Sequence, residues 1–276
     1  MGRAGYCALL LLGACYAPVP AEGVACGENA ACPTGQLCDP ATNRCAKMLS
    51  LLDARIDVAD APTPADAPVD AASNSFIDPF TRADNPNLGN GWIEKTPGTF
   101  SITNDEVVRV DTTITYRDNM VYRPASEDLR DIEVSIRVRF NQTPPRYPQI
   151  FVRARSASIA QPDNYDGYLL YVDGSTAMDV VLGRQLGTVF VVALSRFTLS
   201  EPLGTAVPYR LTLRAIGSAP VLLEARVEKL GGTPVLIGST TFQDSAANRI
   251  TEAGTVGFAG DEIAAYAYDD FVRTAL

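Results

Sequence analysis

Downstream of about residue 75 the chain is predicted to fold as an all-β, two-sheet antiparallel sandwich. Three observations predict it. Apolar and polar residues alternate with a period of two, turn-forming residues interrupt them at short intervals, and no amphipathic stretch reaches helical length. Residues 241–250 are expected to hold at most a turn or two of helix.

The alternation is plainest in three segments. Ile132, Val134, Ile136, Val138 and Phe140 are interleaved with Glu133, Ser135, Arg137, Arg139 and Asn141. Tyr209, Leu211, Leu213 and Ala215 are interleaved with Arg210, Thr212 and Arg214. Val221, Leu223, Ala225 and Val227 are interleaved with Leu222, Glu224, Arg226 and Glu228. Successive strand side chains point to opposite faces, so each segment lays one face on a core and the other in water. Pro144-Pro145, Asp173-Gly174, Gly231-Gly232 and Gly260-Asp261 supply turns between strands.

Upstream, residues 1–14 carry one basic residue, Arg3, and an apolar run from Cys7 to Leu12. That run is far below the roughly 20 residues of a spanning helix, and it reads as a signal peptide. Leu12-Gly13-Ala14-Cys15 resembles a bacterial lipobox, which implies lipidation of Cys15. The alternative is cleavage after Val19-Pro20-Ala21, which would leave a soluble chain. Tyr16 stands where an Asp would imply retention at the inner membrane, so an outer-membrane, lipid-anchored address is expected, on the periplasmic or extracellular face.

Residues 15–46 form a small Cys-rich module. Cys26, Cys32, Cys38 and Cys45 are separated by five, five and six residues. So short a segment cannot bury a core, and two disulfides are expected to hold it. Zinc is the competing reading, but Cys-only zinc sites normally have gaps of two to four residues. Three pairings are possible; a resemblance to small EGF-type modules implies the interleaved Cys26–Cys38 and Cys32–Cys45. Residues 47–74 are an Asp/Ala/Pro-rich linker whose charge and proline content keep it from collapsing. It resembles the tethers of myxobacterial surface lipoproteins.

The formal charge of −9 divides as −1 over residues 1–46, −3 over 47–74 and −5 over 75–276, with no basic cluster. That balance argues against a nucleic-acid partner. The chain has no His, which removes the commonest general base, the Ser-His and Cys-His nucleophile pairs and the commonest zinc ligand.

Asp78-Pro79-Phe80 with Leu88-Gly89-Asn90-Gly91-Trp92 resembles the opening strand of concanavalin A-like (LamG-like) jelly rolls. Phe151–Arg155 and Tyr165–Tyr171 resemble their central strand pair, and Tyr209–Leu213, Gly254–Gly257 and Tyr268–Phe271 resemble later recurring elements. The resemblance spans residues 75–276 and implies two antiparallel sheets with the first and last strands adjacent. Domains of this kind often hold a structural calcium ion where the last strand meets the first loops, which here implies a carboxylate from Asp269 or Asp270.

Hydrolases of this fold carry Glu-x-Asp-x-x-Glu or Glu-x-Asp-x-Glu on one strand. The comparable segment, Ile132–Phe140, has one Glu and then Ser and Arg, so the nucleophile and the acid are both missing. Glu224 and Glu228 share a face, but Arg226 lies between them. Sugars are often held by water-facing sheets of this fold. On the polar parity lie Arg137, Arg139, Phe151, Arg153, Arg155 and Tyr171, where an aromatic face beside a guanidinium would suit a sugar ring. The alternative is an Arg-rich outer face paired with Glu133 and other carboxylates. Trp92 and Tyr268 are assigned to core or edge packing. Three functions follow: a non-catalytic glycan-binding surface lipoprotein, a divergent glycoside hydrolase, or a structural envelope module.

Overall fold

The structure is a computed structural model and describes residues 25, 36–39, 44–47, 75–110, 117–142, 147–173, 176–188, 191–260 and 265–276. The expected signal peptide, the linker beyond Lys47, and Cys15, Cys26 and Cys32 lie outside the described residues. The chain divides into two units, Met1–Val69 and Asp70–Leu276.

In the first unit, β1 (Gln36–Asp39) and β2 (Arg44–Lys47) form an antiparallel hairpin with Cys38 opposite Cys45 in register. Cys45 is buried and disulfide-bonded.

The second unit begins with β3 (Ser75–Asp78), β4 (Ile93–Glu94), β5 (Phe100–Thr103), β6 (Glu106–Arg109) and β7 (Met120–Tyr122). Next come β8 (Ile132–Phe140), β9 (Gln149–Ala154), the one-turn helix α1 (Ser156–Ile159), β10 (Gly167–Val172), β11 (Asp179–Gln185) and β12 (Val192–Thr198). The chain closes with β13 (Tyr209–Ile216), β14 (Val221–Lys229), β15 (Val235–Asp244), β16 (Thr255–Ala259) and β17 (Tyr266–Ala275). One sheet has the order β12-β11-β10-β9-β16-β7-β4. The other has the order β15-β14-β13-β8-β17-β6-β5, with β3 also paired to β17. The pairings among the described strands are antiparallel, and the predicted sandwich, with first and last strands adjacent, is what forms.

The alternation becomes the core. Ile132, Val134, Ile136 and Val138 of β8 face Ile150 and Val152 of β9, Tyr168 and Leu170 of β10, and Phe258 of β16 in one buried cluster. Residues 241–244, assigned to a possible helical turn, instead complete β15, because Thr241 and Phe242 keep the period-two register against β14. The described α-helix is α1, and a 3-10 turn covers Ala125–Glu127.

The Asp78-Pro-Phe motif has a mechanical role. The Asp78 carboxylate is buried and accepts the Phe80 amide at 2.8 Å, the Trp92 indole N–H at 2.7 Å, and Arg82 N–H groups at 2.7 and 3.1 Å. Burial opposes its ionisation, but the hydrogen bonds from Arg82, Trp92 and Phe80 outweigh it, so its pKa stays below the usual carboxylate value. Phe80 has φ 52°, a left-handed conformation unusual for a bulky residue, and its ring stacks on Trp92.

Arg153 corrects the parity reading. Thr255 pairs with Ala154 and Gly257 with Phe151, so two residues of β9 stand against one of β16. This is a β-bulge, with Arg153 at φ 51°. The bulge turns Arg153 inward, to zero exposure, instead of onto the water-facing side. There it donates to Arg130 O at 2.6 Å, Gly217 O at 2.8 Å and Ile250 O at 3.0 Å, and approaches Asp131 at 3.3 Å. Gly254 is required beside it, since a Cβ there would lie 2.5 Å from the Arg153 carbonyl carbon.

Two stability outcomes follow, both readable from Trp92 fluorescence in urea unfolding. Asp78→Ala leaves the Trp92 indole and the Phe80 amide without their acceptor and is expected to cost about 3 kcal/mol. Arg153→Ala is expected to cost about 3–5 kcal/mol, because three buried carbonyls lose their donor and a cavity opens. An Arg153→Ala midpoint equal to that of the parent would return Arg153 to the surface.

Candidate functional site

The six predicted ligand residues do not meet in one place. Phe151 and Tyr171 belong to the seven-stranded sheet, Arg137 and Arg139 to the other sheet, Arg153 to the interior, and Arg155 to the loop after β9. Parity tells which residues share a side of their own strand, not which sheet that strand joins.

The non-core face of the seven-stranded sheet around Phe151 is covered. Phe151, Leu169, Met120 and Ala259 form a second buried cluster with Ile159 and Tyr165, which come from the loop after β9. Phe151 therefore has no exposure, and Tyr171 is half-buried against the cluster. Polar contacts hold this strap down. The Arg155 amide donates to Asp166 O at 2.9 Å, and the Asp166 carboxylate accepts the Gly187 amide at 2.7 Å. Lys95 donates to Asn164 O at 2.8 Å and pairs with Asp118 at 3.1 Å, while Arg117 pairs with Asp163 at 2.8 Å. Burial lowers the Lys95 pKa, with Asp118 pulling the other way. Arg155 stands at the rim, 3.5 Å from Asp166 and 3.6 Å from Glu252. The sequence analysis places Tyr165 with the central strand pair, and nothing in it says that Ile159 and Tyr165 roof a sheet.

Arg137 and Arg139 stay on the outer face of the eight-stranded sheet. Arg139 bonds Glu106, which raises the pKa of its guanidinium. Arg137 pairs with Asp269, and also with Asp270 at 3.1 Å. A bulge between Asp269 and Val272 gathers both carboxylates around this one guanidinium. Adjacent strand residues would otherwise point apart. Such a pair does not fit a hard cation, because the positive charge it would have to displace is already covalently in place. Among the described residues no group of three or more Cys, Asp or Glu is placed to hold a metal ion.

Beside Arg137 lies an open groove of about 440 Å³ lined by Ile77, Glu133, Ser135, Arg210, Thr212, Arg226, Glu228, Asp270 and Val272. Its floor follows from register. Arg226 pairs with Thr212, Thr212 with Ser135, Ser135 with Val272, and Val272 with Ile77, one row across five strands. Short side chains in this row are flanked by rows of long charged ones. Arg210 and Glu228, 3.5 Å apart, stand on one side with Arg137; Arg214 and Glu224, 3.3 Å apart, stand on the other with Glu133. Arg226 reaches across β13 to Glu133 at 3.0 Å, and Thr212 beneath is only 5% exposed, so the groove is closed at that end. At its other end Ile77 is 63% exposed. Glu224 and Glu228 thus each face an Arg of β13, and among the lining residues no free pair of carboxylates spans the groove. Sequence reasoning found Arg137 but missed Ser135, Val272 and Ile77, whose row depends on the pairing of β3, β17 and β8.

No protein family profile matches the chain, and no curated protein matches it in sequence. Solved structures do resemble it. A mutant of the GH43 protein BlXynB from Bacillus licheniformis shares 16% identity at TM-score 0.44 over 72% of this chain; the match spans 39% of that protein, about two fifths of its length. The carbohydrate binding module CBM66 from Bacillus subtilis shares 14% identity at TM-score 0.42, over 67% of this chain and 92% of that one. Laminarinase from Flavobacterium sp. UMI-01 shares 10% identity at TM-score 0.45, over 73% and 99%. At these identities and scores the similarity says nothing of ligand or chemistry.

One carboxyl near the strap is strongly perturbed. Burial pushes Asp128 up to about 6, with the nearby Ser156, the first residue of α1, acting in the opposite direction. A folded-state pKa above the unfolded one means that ionisation costs the folded state more. The penalty is absent below about pH 4, develops between about pH 4 and 6, and is complete above that. Asp128→Asn should therefore raise the melting temperature at pH 7–8 and leave it unchanged near pH 4. A difference between variant and parent that does not vary with pH would contradict this assignment.

Proposed function

We propose that residues 75–276 bind a glycan without cleaving it, in the groove on the outer face of the eight-stranded sheet. The observation that carries this reading is the groove itself, whose volume of about 440 Å³ falls in the range of small-molecule sites. Its floor combines a hydroxyl from Ser135 with the apolar surface of Val272 and Ile77, and its walls are polar. A sugar ring presents the same two characters, a C–H face and a hydroxyl edge. Hydrolysis would need an acid and a nucleophile or base left free to act, whereas Glu133, Glu224 and Glu228 each pair with an Arg.

The remainder of the chain supports display. A lipid on Cys15 would anchor it at the outer membrane. The Asp/Ala/Pro-rich composition of the expected linker is that of an extended tether, which suits such display.

Electrophoresis of the full chain through native gels containing a panel of soluble polysaccharides tests the proposal. The parent should be retarded by at least one polymer. Ser135→Ile, which removes the floor's hydroxyl and fills its place with a strand-compatible branched side chain, should reduce that retardation at least tenfold with the melting temperature unchanged. No retardation in any gel would leave a structural envelope module as the better reading.

A further inference from the structure

Resting on the groove reading above, we infer that the groove selects an uncharged glycan segment about two rings long over an acidic one. Charge accounts for the selection. Arg226 is closed by Glu133 at 3.0 Å, Arg210 by Glu228 at 3.5 Å, and Arg137 by Asp269 and Asp270. A uronate entering the groove would meet no unpaired cation among these. Held by the spare N–H groups of a paired guanidinium, it would sit beside the carboxylate already there, and held in that carboxylate's place it would strand it, so like charges oppose it either way. The net charge of −5 over residues 75–276 repels a polyanion at longer range.

A neutral sugar faces no such conflict. A guanidinium holding one carboxylate keeps further N–H donors, and the carboxylate keeps lone pairs. The paired walls can thus donate to and accept from hydroxyls without being broken. The floor sets the length. Thr212 lies under the Arg226–Glu133 pair, so the open run extends from Ser135 through Val272 to Ile77. That run crosses two strand spacings, about 10 Å. Ser135 at the closed end meets a hydroxyl, and Val272 and Ile77 at the open end meet a C–H face. Val272 and Ile77 are β-branched and stiff at χ1, so ordering them on binding costs little.

Titration of the full chain at low salt with dextran and soluble starch, both neutral, and with polygalacturonate, which is acidic, tests this. A neutral polymer should bind at least tenfold more tightly than polygalacturonate. Ile77→Asp should weaken that binding at least tenfold while the unfolding midpoint stays put. Glu133→Gln, which frees Arg226, should narrow the neutral-to-acidic ratio several-fold. Equal or tighter binding of polygalacturonate by the parent would overturn the selectivity and leave glycan binding standing. An unchanged ratio in Glu133→Gln would overturn the pairing as its cause. Binding of none of the three would overturn both readings.

Discussion

The carboxylate of Asp78 is taken out of water, and the first quarter of the sandwich is arranged around keeping it satisfied. It closes the turn at Phe80, holds the indole of Trp92, and draws Arg82 back onto β3. With that geometry fixed, Trp92 packs against Phe76, Phe80, Phe258 and Phe271, so the first strand, the first loop, β16 and β17 share one aromatic cluster. Each such ring pair adds about 0.5–1.5 kcal/mol beyond area burial. Arg123 then covers the cluster at its edge, 3.9 Å from the Phe76 centroid, while bonding Glu127 and the Asn90 carbonyl. Gly91 lies beneath this guanidinium at φ 74°, where a Cβ would come within 3.1 Å of it. Burying one charge thus fixes both ends of the loop between β3 and β4.

Arginine holds elements together throughout this protein, and the bulges decide where. At β9 a bulge carries Arg153 inside, where one guanidinium ties the start of β8, the turn after β13 and the loop before β16. Arg184 does the same between the sheets, meeting Asp244 at 2.6 Å while Tyr168 donates to that carboxylate at 2.8 Å. Burial pushes the Tyr168 hydroxyl well above its usual pKa, so it stays a neutral donor. At β17 a second bulge brings Asp269 and Asp270 to Arg137. Lysine, a flexible point charge, lacks the planar fork that satisfies several fixed acceptors at once.

These same features separate what the sequence discloses from what it hides. Strands such as Ile132–Phe140 are legible because their alternation is regular and one face is fully buried. The Asp78-Pro-Phe motif is legible as a pattern, while its partner Trp92, fourteen residues on, becomes a partner only once the loop is folded. Arg153 is illegible because a bulge inserts one residue, and one residue reverses the face. Phe151 and Arg137 have the same polar parity, but one ends under a strap and the other in water, since sheet membership is a long-range property. The calcium reading of Asp269 and Asp270 left out Arg137 for a related reason: that guanidinium is remote in sequence and adjacent in register.

The two outer faces follow opposite strategies, and this bears on where a ligand can sit. One face buries apolar side chains and needs a strap, fixed by Lys95, Arg117 and Asp166, to keep them from water. The other needs no cover, because its long side chains neutralise one another across the strands. Exposed pairs of that kind contribute little to stability, about 0–1 kcal/mol each. Their consequence is shape: held in rows, they leave the short side chains of the intervening row as an open floor. A face of unpaired arginines would attract any anion, and a face of bare Val and Ile would attract itself. The paired lattice around Ser135, Val272 and Ile77 avoids both, and it is on this floor that the proposed glycan would rest.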